Sequence, residues 1–268
     1  MANNDSELWA GFSSGIFDDD PNDIKLDETI PGNKVGSYVS ANRQILNILF
    51  LVDVSGSMRG QRIGEVNYAM ESIFRELNRR DDPNSVIKVG IMEFSEQAQW
   101  VTPQPVLLEN FVFTKIEAKP WITCYANAFN ALGEKLSRKA FMDPNLGEYF
   151  APVILFITDG EPTDFDKYPA ALKKLQNNGW FRKSAKYAIA VGEEARTTEI
   201  GNLLTGFTGV RENVRFADEG EALVDLIQYI ALRASEVQTS LVSDTGGSTS
   251  SIFNQVDQKY SSMFNSSY

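Results

Sequence analysis

Apolar residues along this chain follow two kinds of pattern: short, almost unbroken runs, and longer stretches in which they recur at helical spacing. The clearest run is 45–52, and a segment without a polar face is what a strand buried on both sides of a sheet requires. In 63–77, Val66, Met70, Ile73, Phe74 and Leu77 fall on one helical stripe. Further strands are predicted at 86–94, 152–158, 186–191 and 214–216, with a short edge strand at 97–101 closed by Pro103 and Pro105. Helices are predicted at 126–136, at 168–178 with Gly179 ending it, at 197–204 and at 219–234. Strand and helix alternating from about 44 to 235 predict an α/β fold, an open, doubly wound, mainly parallel sheet flanked by helices.

That alternation fails at both ends. Residues 1–40 carry eight acids against Lys25 and Lys34 and read as an acidic N-terminal extension, in which Leu8, Trp9, Phe12, Ile16 and Phe17 suit docking into a groove, the alternative being a disordered acidic tail. After Glu236 the chain turns to Ser, Thr and Gly, as a linker does. It then places Ile252, Phe253, Val256, Tyr260, Met263 and Phe264 on one helical face, as an amphipathic docking helix would. The expected plan is an extension over 1–40, a domain over 41–235, and a linker with a docking helix over 236–268.

Charge and composition narrow the function. A formal charge of −11 opposes a role on nucleic acid or anionic membrane, which draws on clustered Lys and Arg. The beginning lacks a basic start with an apolar stretch, and no run is long enough to span a bilayer, so the expected location is cytoplasmic. The single cysteine, Cys124, suits a reducing compartment and reads as a packing residue. With no histidine in the chain, the commonest general base and the commonest zinc ligand are both absent.

The first strand runs straight into Asp53-Val54-Ser55-Gly56-Ser57-Met58, and the strand at 152–158 ends in Asp159-Gly160-Glu161-Pro162-Thr163-Asp164. Ligand sites in doubly wound sheets lie at the carboxyl ends of strands. Two strands each delivering an aspartate there, with Ser55 and Ser57 beside the first, form an all-oxygen set suited to Mg²⁺ or Mn²⁺. Gly56 is expected to let the backbone turn sharply between the two serines. The competing reading is that the serines merely cap the following helix.

These two motifs resemble the metal-ion-dependent adhesion site of von Willebrand factor A domains, over roughly residues 44–235, and look most like the bacterial tellurium-resistance-associated branch. The resemblance implies that Asp53, Ser55 and Ser57 hold the cation directly or through water, and that Thr123 and Asp159 alternate between the two modes. Here Pro120-Trp121-Ile122 precedes Thr123, where the family commonly has glycines. A cation balanced by two carboxylates and weak hydroxyl donors can still draw in an Asp or Glu of a protein partner. Met58, Arg59, Gln61, Trp121, Tyr125, Glu161 and Asp164 are the expected rim of that recognition point, although Glu161 and Asp164 could instead satisfy backbone amides near Pro162.

The expected function is therefore a non-enzymatic, cation-dependent adaptor or scaffold. The branch resemblance adds a bacterial stress-response complex with kinase-like or phosphatase-like partners. The alternative is Mg²⁺-dependent phosphoryl transfer with Asp53 as nucleophile. Against it, Ser55 stands where a second acid is expected, and no Gly-x-x-x-x-Gly-Lys loop is present. A further possibility is that an acid of Asp18–Asp23 reaches the metal and blocks it.

Overall fold

The computed structural model describes residues 43–79 and 85–217, so the readings on 1–40, 219–234 and 236–268 lie outside the described residues. The described chain forms β1 (Gln44–Asp53), α1 (Gln61–Leu77), β2 (Ser85–Phe94), β3 (Ala98–Trp100), β4 (Val106–Leu107) and α2 (Tyr125–Lys135). It continues through β5 (Val153–Thr158), α3 (Tyr168–Gln176), α4 (Gly179–Lys183), β6 (Ala185–Val191), α5 (Thr198–Thr208) and β7 (Val214–Ala217). The strands make one sheet in the order β3-β2-β1-β5-β6-β7, with β4 also pairing β2. β3 and β4 pair antiparallel with β2, and the remaining pairings are parallel. This is the doubly wound, mainly parallel sheet that the alternation predicts. Among the described residues no helix is long and apolar enough to cross a membrane.

The period of two in β1 explains why it reads as a continuous apolar run. Leu46, Ile48, Phe50 and Val52 face one layer, packed with Val66, Met70, Ile73 and Phe74 of α1. Leu49 and Leu51 face the opposite layer, formed by α2, α3 and α5 through Phe129, Leu132, Leu175, Leu204 and Phe207. Both faces of the strand are dry, and each fully buried Leu, Ile or Val contributes roughly 1.5–3 kcal/mol relative to an exposed one.

Local sequence explains where the boundaries differ from expectation. Gly179 does not end a helix. α3 stops at Gln176, and the side chain of Asn178 accepts hydrogen bonds from the amides of Trp180 and Phe181, starting α4 at Gly179. α5 runs four residues past the expected 204, to Thr208, and ends where Gly209 adopts a left-handed φ of 77°. The two-residue β4 is too short to carry a strand pattern.

Candidate metal centre

β1 and β5 lie side by side, Val52 pairing with Ile157, so their carboxyl ends deliver Asp53 and Thr158-Asp159 to the same place. The chain leaves β1 toward β2 on one side and enters β5 on the other. This is the switch point where such sheets open a crevice. Asp53 is fully buried and Ser55 almost so, Asp159 is 6% exposed, and Ser57 is exposed at the top.

A chain of hydrogen bonds joins these groups. Asp53 Oδ1 accepts from the amide of Ser55 at 2.8 Å, and Asp53 Oδ2 accepts from the Thr158 hydroxyl at 2.7 Å. The Ser55 and Ser57 hydroxyls stand 3.1 Å apart, and Ser57 donates to Asp159 Oδ1 at 2.9 Å. Neither serine caps a helix: Ser55 precedes the single 3₁₀ turn Gly56–Met58 without a side-chain cap bond, and α1 is preceded by Gly60. The capping alternative is thereby set aside. Gly56 is not the sharp-turn glycine expected of it. The left-handed glycine in this loop is Gly60, at φ 79°, and a Cβ on Gly56 would meet its neighbours at no less than 3.7 Å, ordinary van der Waals contact.

The loop bearing Thr123 rests against this motif through its backbone. The amide of Lys119 donates to the Val54 carbonyl at 2.6 Å, and the amide of Gly56 donates to the Trp121 carbonyl at 2.9 Å. Thr123 is buried, and its carbonyl accepts from both the amide and the hydroxyl of Thr163 at 2.8 Å. Thr123 thus lies between the two aspartate loops. Among the described residues, no hydrogen bond ties its hydroxyl to the Asp53–Ser55–Ser57–Asp159 cluster.

Three expected rim residues are internal. Met58 is fully buried in the α1-side core, because the 3₁₀ turn folds its side chain back under the loop. Tyr125 is fully buried among Phe94, Phe129 and Phe156, with its hydroxyl 2.7 Å from the Gly160 carbonyl and 3.1 Å from the Thr158 hydroxyl. Burial pushes its phenol pKa well above the usual value. Asp164 is buried and accepts from the amides of Tyr125 at 3.0 Å and Ala126 at 2.8 Å, capping α2 from another loop. Arg59, Gln61 and Glu161 are exposed, as are Trp121 at 45% and its neighbour Ile122 at 54%. Cys124 is partly buried, with a thiol pKa raised chiefly by desolvation.

The motif reading gave no role to Thr158, which donates to Asp53 and is itself bonded by the Tyr125 hydroxyl, or to Arg62, whose guanidinium donates to Asp159 Oδ2 at 2.8 Å. In hindsight the Thr in Thr158-Asp159 carried a signal, as a polar residue ending an apolar strand.

The electrostatics of Asp53 test whether the group fits a cation. Burial raises its carboxyl pKa to about 6, against the lowering effect of the Ser55 amide and the Thr158 and Ser55 hydroxyls, with the negative charge of Asp159 adding to the rise. Among the described residues no basic side chain pairs with Asp53. A buried carboxylate met only by neutral donors is stabilised by a nearby positive charge. No described cluster joins three or more carboxylate, thiolate or imidazole groups, so a cation here depends on hydroxyl oxygens as well as the two aspartates. Such a donor set suits a hard divalent ion.

A family model described as von Willebrand factor type A domain matches residues 48–161, which include both aspartate loops. Over those residues the chain is similar to von Willebrand factor type A domains. Among curated proteins it is 27% identical over 135 residues to inter-alpha-trypsin inhibitor heavy chain H4 of Bos taurus, covering 48% of this chain and 14% of that protein. It is 25% identical over 186 residues to heavy chain H6 of Homo sapiens, covering 66% of this chain and again 14% of the relative. The similarity therefore concerns this domain within much longer proteins.

Among solved structures, similarity extends to the proximal thread matrix protein 1 of the mussel byssus with a zinc-occupied metal-ion-dependent adhesion site. The TM-score is 0.51 at 15% identity, over 72% of this chain and 46% of that one. The pilus adhesin SpaC of Lactobacillus rhamnosus GG superposes with a TM-score of 0.54 at 13% identity, over 73% of this chain and 30% of that one. At these identities the likeness speaks for the fold. Domains of this type commonly mediate protein–protein contacts through a metal site.

Proposed function

We propose that this von Willebrand factor A domain binds a divalent cation, Mg²⁺ or Mn²⁺, through Asp53, Ser55, Ser57, Thr123 and Asp159, and uses it to recruit an Asp or Glu of a protein partner. One observation carries the reading: a fully buried Asp53 carboxylate with no basic partner among the described residues, linked through two serine hydroxyls to Asp159 at the carboxyl ends of adjacent strands. When bound, the cation would supply a Lewis-acidic position for an incoming carboxylate. The chain's own part is to fix the oxygens: Thr158 and the Ser55 amide orient Asp53, and Ser57 orients Asp159.

The reading is of an adaptor without catalytic activity. Both Asp53 oxygens are engaged and inaccessible to solvent, which disfavours that residue as a phosphoryl nucleophile. The proposed setting is cytoplasmic, with the domain spanning 41–235 between an acidic extension and a docking tail. Resemblance of the two motifs to the tellurium-resistance branch adds a bacterial stress-response complex with kinase-like or phosphatase-like partners. The relatives named above are inter-alpha-trypsin inhibitor heavy chains, so that pathway rests on the motifs alone.

The test is affinity capture from the native cell in Mg²⁺ buffer, comparing wild type, Asp53→Ala and chelated wild type, each first shown to be folded. Partners retained only by the metal-loaded wild type support the reading. Retention unchanged by both treatments sinks it.

A further inference from the structure

Arg62, at the start of α1, reaches the Asp159 side of the candidate metal centre and is held there by several contacts. Its Nη1 donates to Asp159 Oδ2 at 2.8 Å and to the Ser57 carbonyl at 3.1 Å, while Nη2 donates to Glu194 at 2.5 Å. The Arg62 side chain is 26% exposed and that of Asp159 only 1%. Gly192, just after β6, makes the space: it has a φ of 96°, and a Cβ there would stand 2.8 Å from Arg62 Nε. A planar guanidinium can serve two acids with two separate nitrogens, which an ammonium cannot do in the same geometry.

The geometry points to Arg62 as the residue that sets the net charge of the metal centre, and hence how tightly the cation is held and how strongly it draws a partner's carboxylate. This rests on the metal-binding reading above. A divalent ion with Asp53 and Asp159 sums to zero charge. Arg62, bonded directly to Asp159, raises that sum to +1. The cation therefore meets like-charge repulsion at short range, and the centre keeps a positive charge with which to attract an acidic side chain. Glu194 on the far side is 76% exposed, so water weakens its opposing effect without abolishing it. A merely structural Arg62, one that only steadied Asp159, would act with the opposite sign, because its removal would loosen a ligand and weaken the metal.

Sign therefore decides, and Mn²⁺ alone suffices as the probe. Binding to the full chain is read from the free-Mn²⁺ electron paramagnetic resonance signal, for variants that keep the wild-type thermal transition. Arg62→Gln is expected to tighten Mn²⁺ by about tenfold, and Arg62→Lys, which keeps the charge, to stay within about twofold of wild type. Glu194→Gln, at an exposed position, is expected to weaken Mn²⁺ by about two- to threefold, since it leaves the Arg62 charge less opposed. Unchanged or weakened binding in Arg62→Gln overturns the inference. If that variant does not fold, Glu194→Gln decides alone, and binding that is not weakened there overturns it. Mn²⁺ binding that survives Asp53→Ala defeats the metal-centre reading itself.

Discussion

The Thr158 hydroxyl donates to Asp53 Oδ2 at 2.7 Å across the seam between β5 and β1, so one metal-binding motif orients the key carboxylate of the other. Removing this donor leaves a buried carboxylate oxygen short of a partner. Thr158→Val is expected to cost about 1–3 kcal/mol in the metal-free chain, measured by urea unfolding, and to weaken Mn²⁺ binding. Thr158→Ser, which keeps the hydroxyl, restores the metal affinity.

Asp53 also gives the metal-free protein a signed pH dependence. Its carboxyl pKa is raised from 3.8 to about 6 on folding, chiefly by burial. The folded state then binds more protons than the unfolded chain between those values, so the contribution is fully present below about 4 and is lost as pH rises through about 6. In chelator at pH 7.5, Asp53→Asn should therefore melt at a higher temperature than wild type, with the gap closing toward pH 4. Mg²⁺ should reverse the ranking at pH 7.5, because only the carboxylate gains from the ion.

Asp164 sits in the metal-loop sequence yet serves α2. Asp164→Ala is expected to lower stability by about 1 kcal/mol, the usual size of a lost helix cap, and to leave Mn²⁺ affinity within about twofold of wild type. Chemical denaturation and metal titration on the same sample would check both. A large loss of metal affinity would place Asp164 in the centre instead.

Trp121 is exposed beside the centre, and Lys119 Nζ lies 5.8 Å from its ring centroid. Trp121→Ala is expected to change stability by no more than about 0.5 kcal/mol and to leave metal binding intact. Retention of the partner in the pull-down should nevertheless fall.

The fold was legible where one strand or helix carries its own pattern. β1 and β5 are dry on both faces, and α1 presents one long apolar stripe, so 45–52, 152–158 and 63–77 could be placed from periodicity. The two aspartates were legible because each ends such a strand. Contacts between distant parts of the chain were not: Arg62 meets Asp159 across 97 residues, and Asp164 caps a helix that begins 39 residues earlier. Nothing local marks such partners. Met58 and Tyr125 were misplaced because their neighbours read as loop, while the turn and helix that bury them depend on packing under the loops.

The loop before Thr123 has a different kind of freedom. It is pinned to the aspartate motif by main-chain bonds, the Lys119 amide to Val54 and the Trp121 carbonyl to Gly56, while the side chains of Trp121 and Ile122 point into water. A clasp made of backbone is indifferent to the letters it carries. This stretch can therefore be rewritten, by evolution or by an engineer, to suit a new binding partner while the cation's seat beside it stays in place.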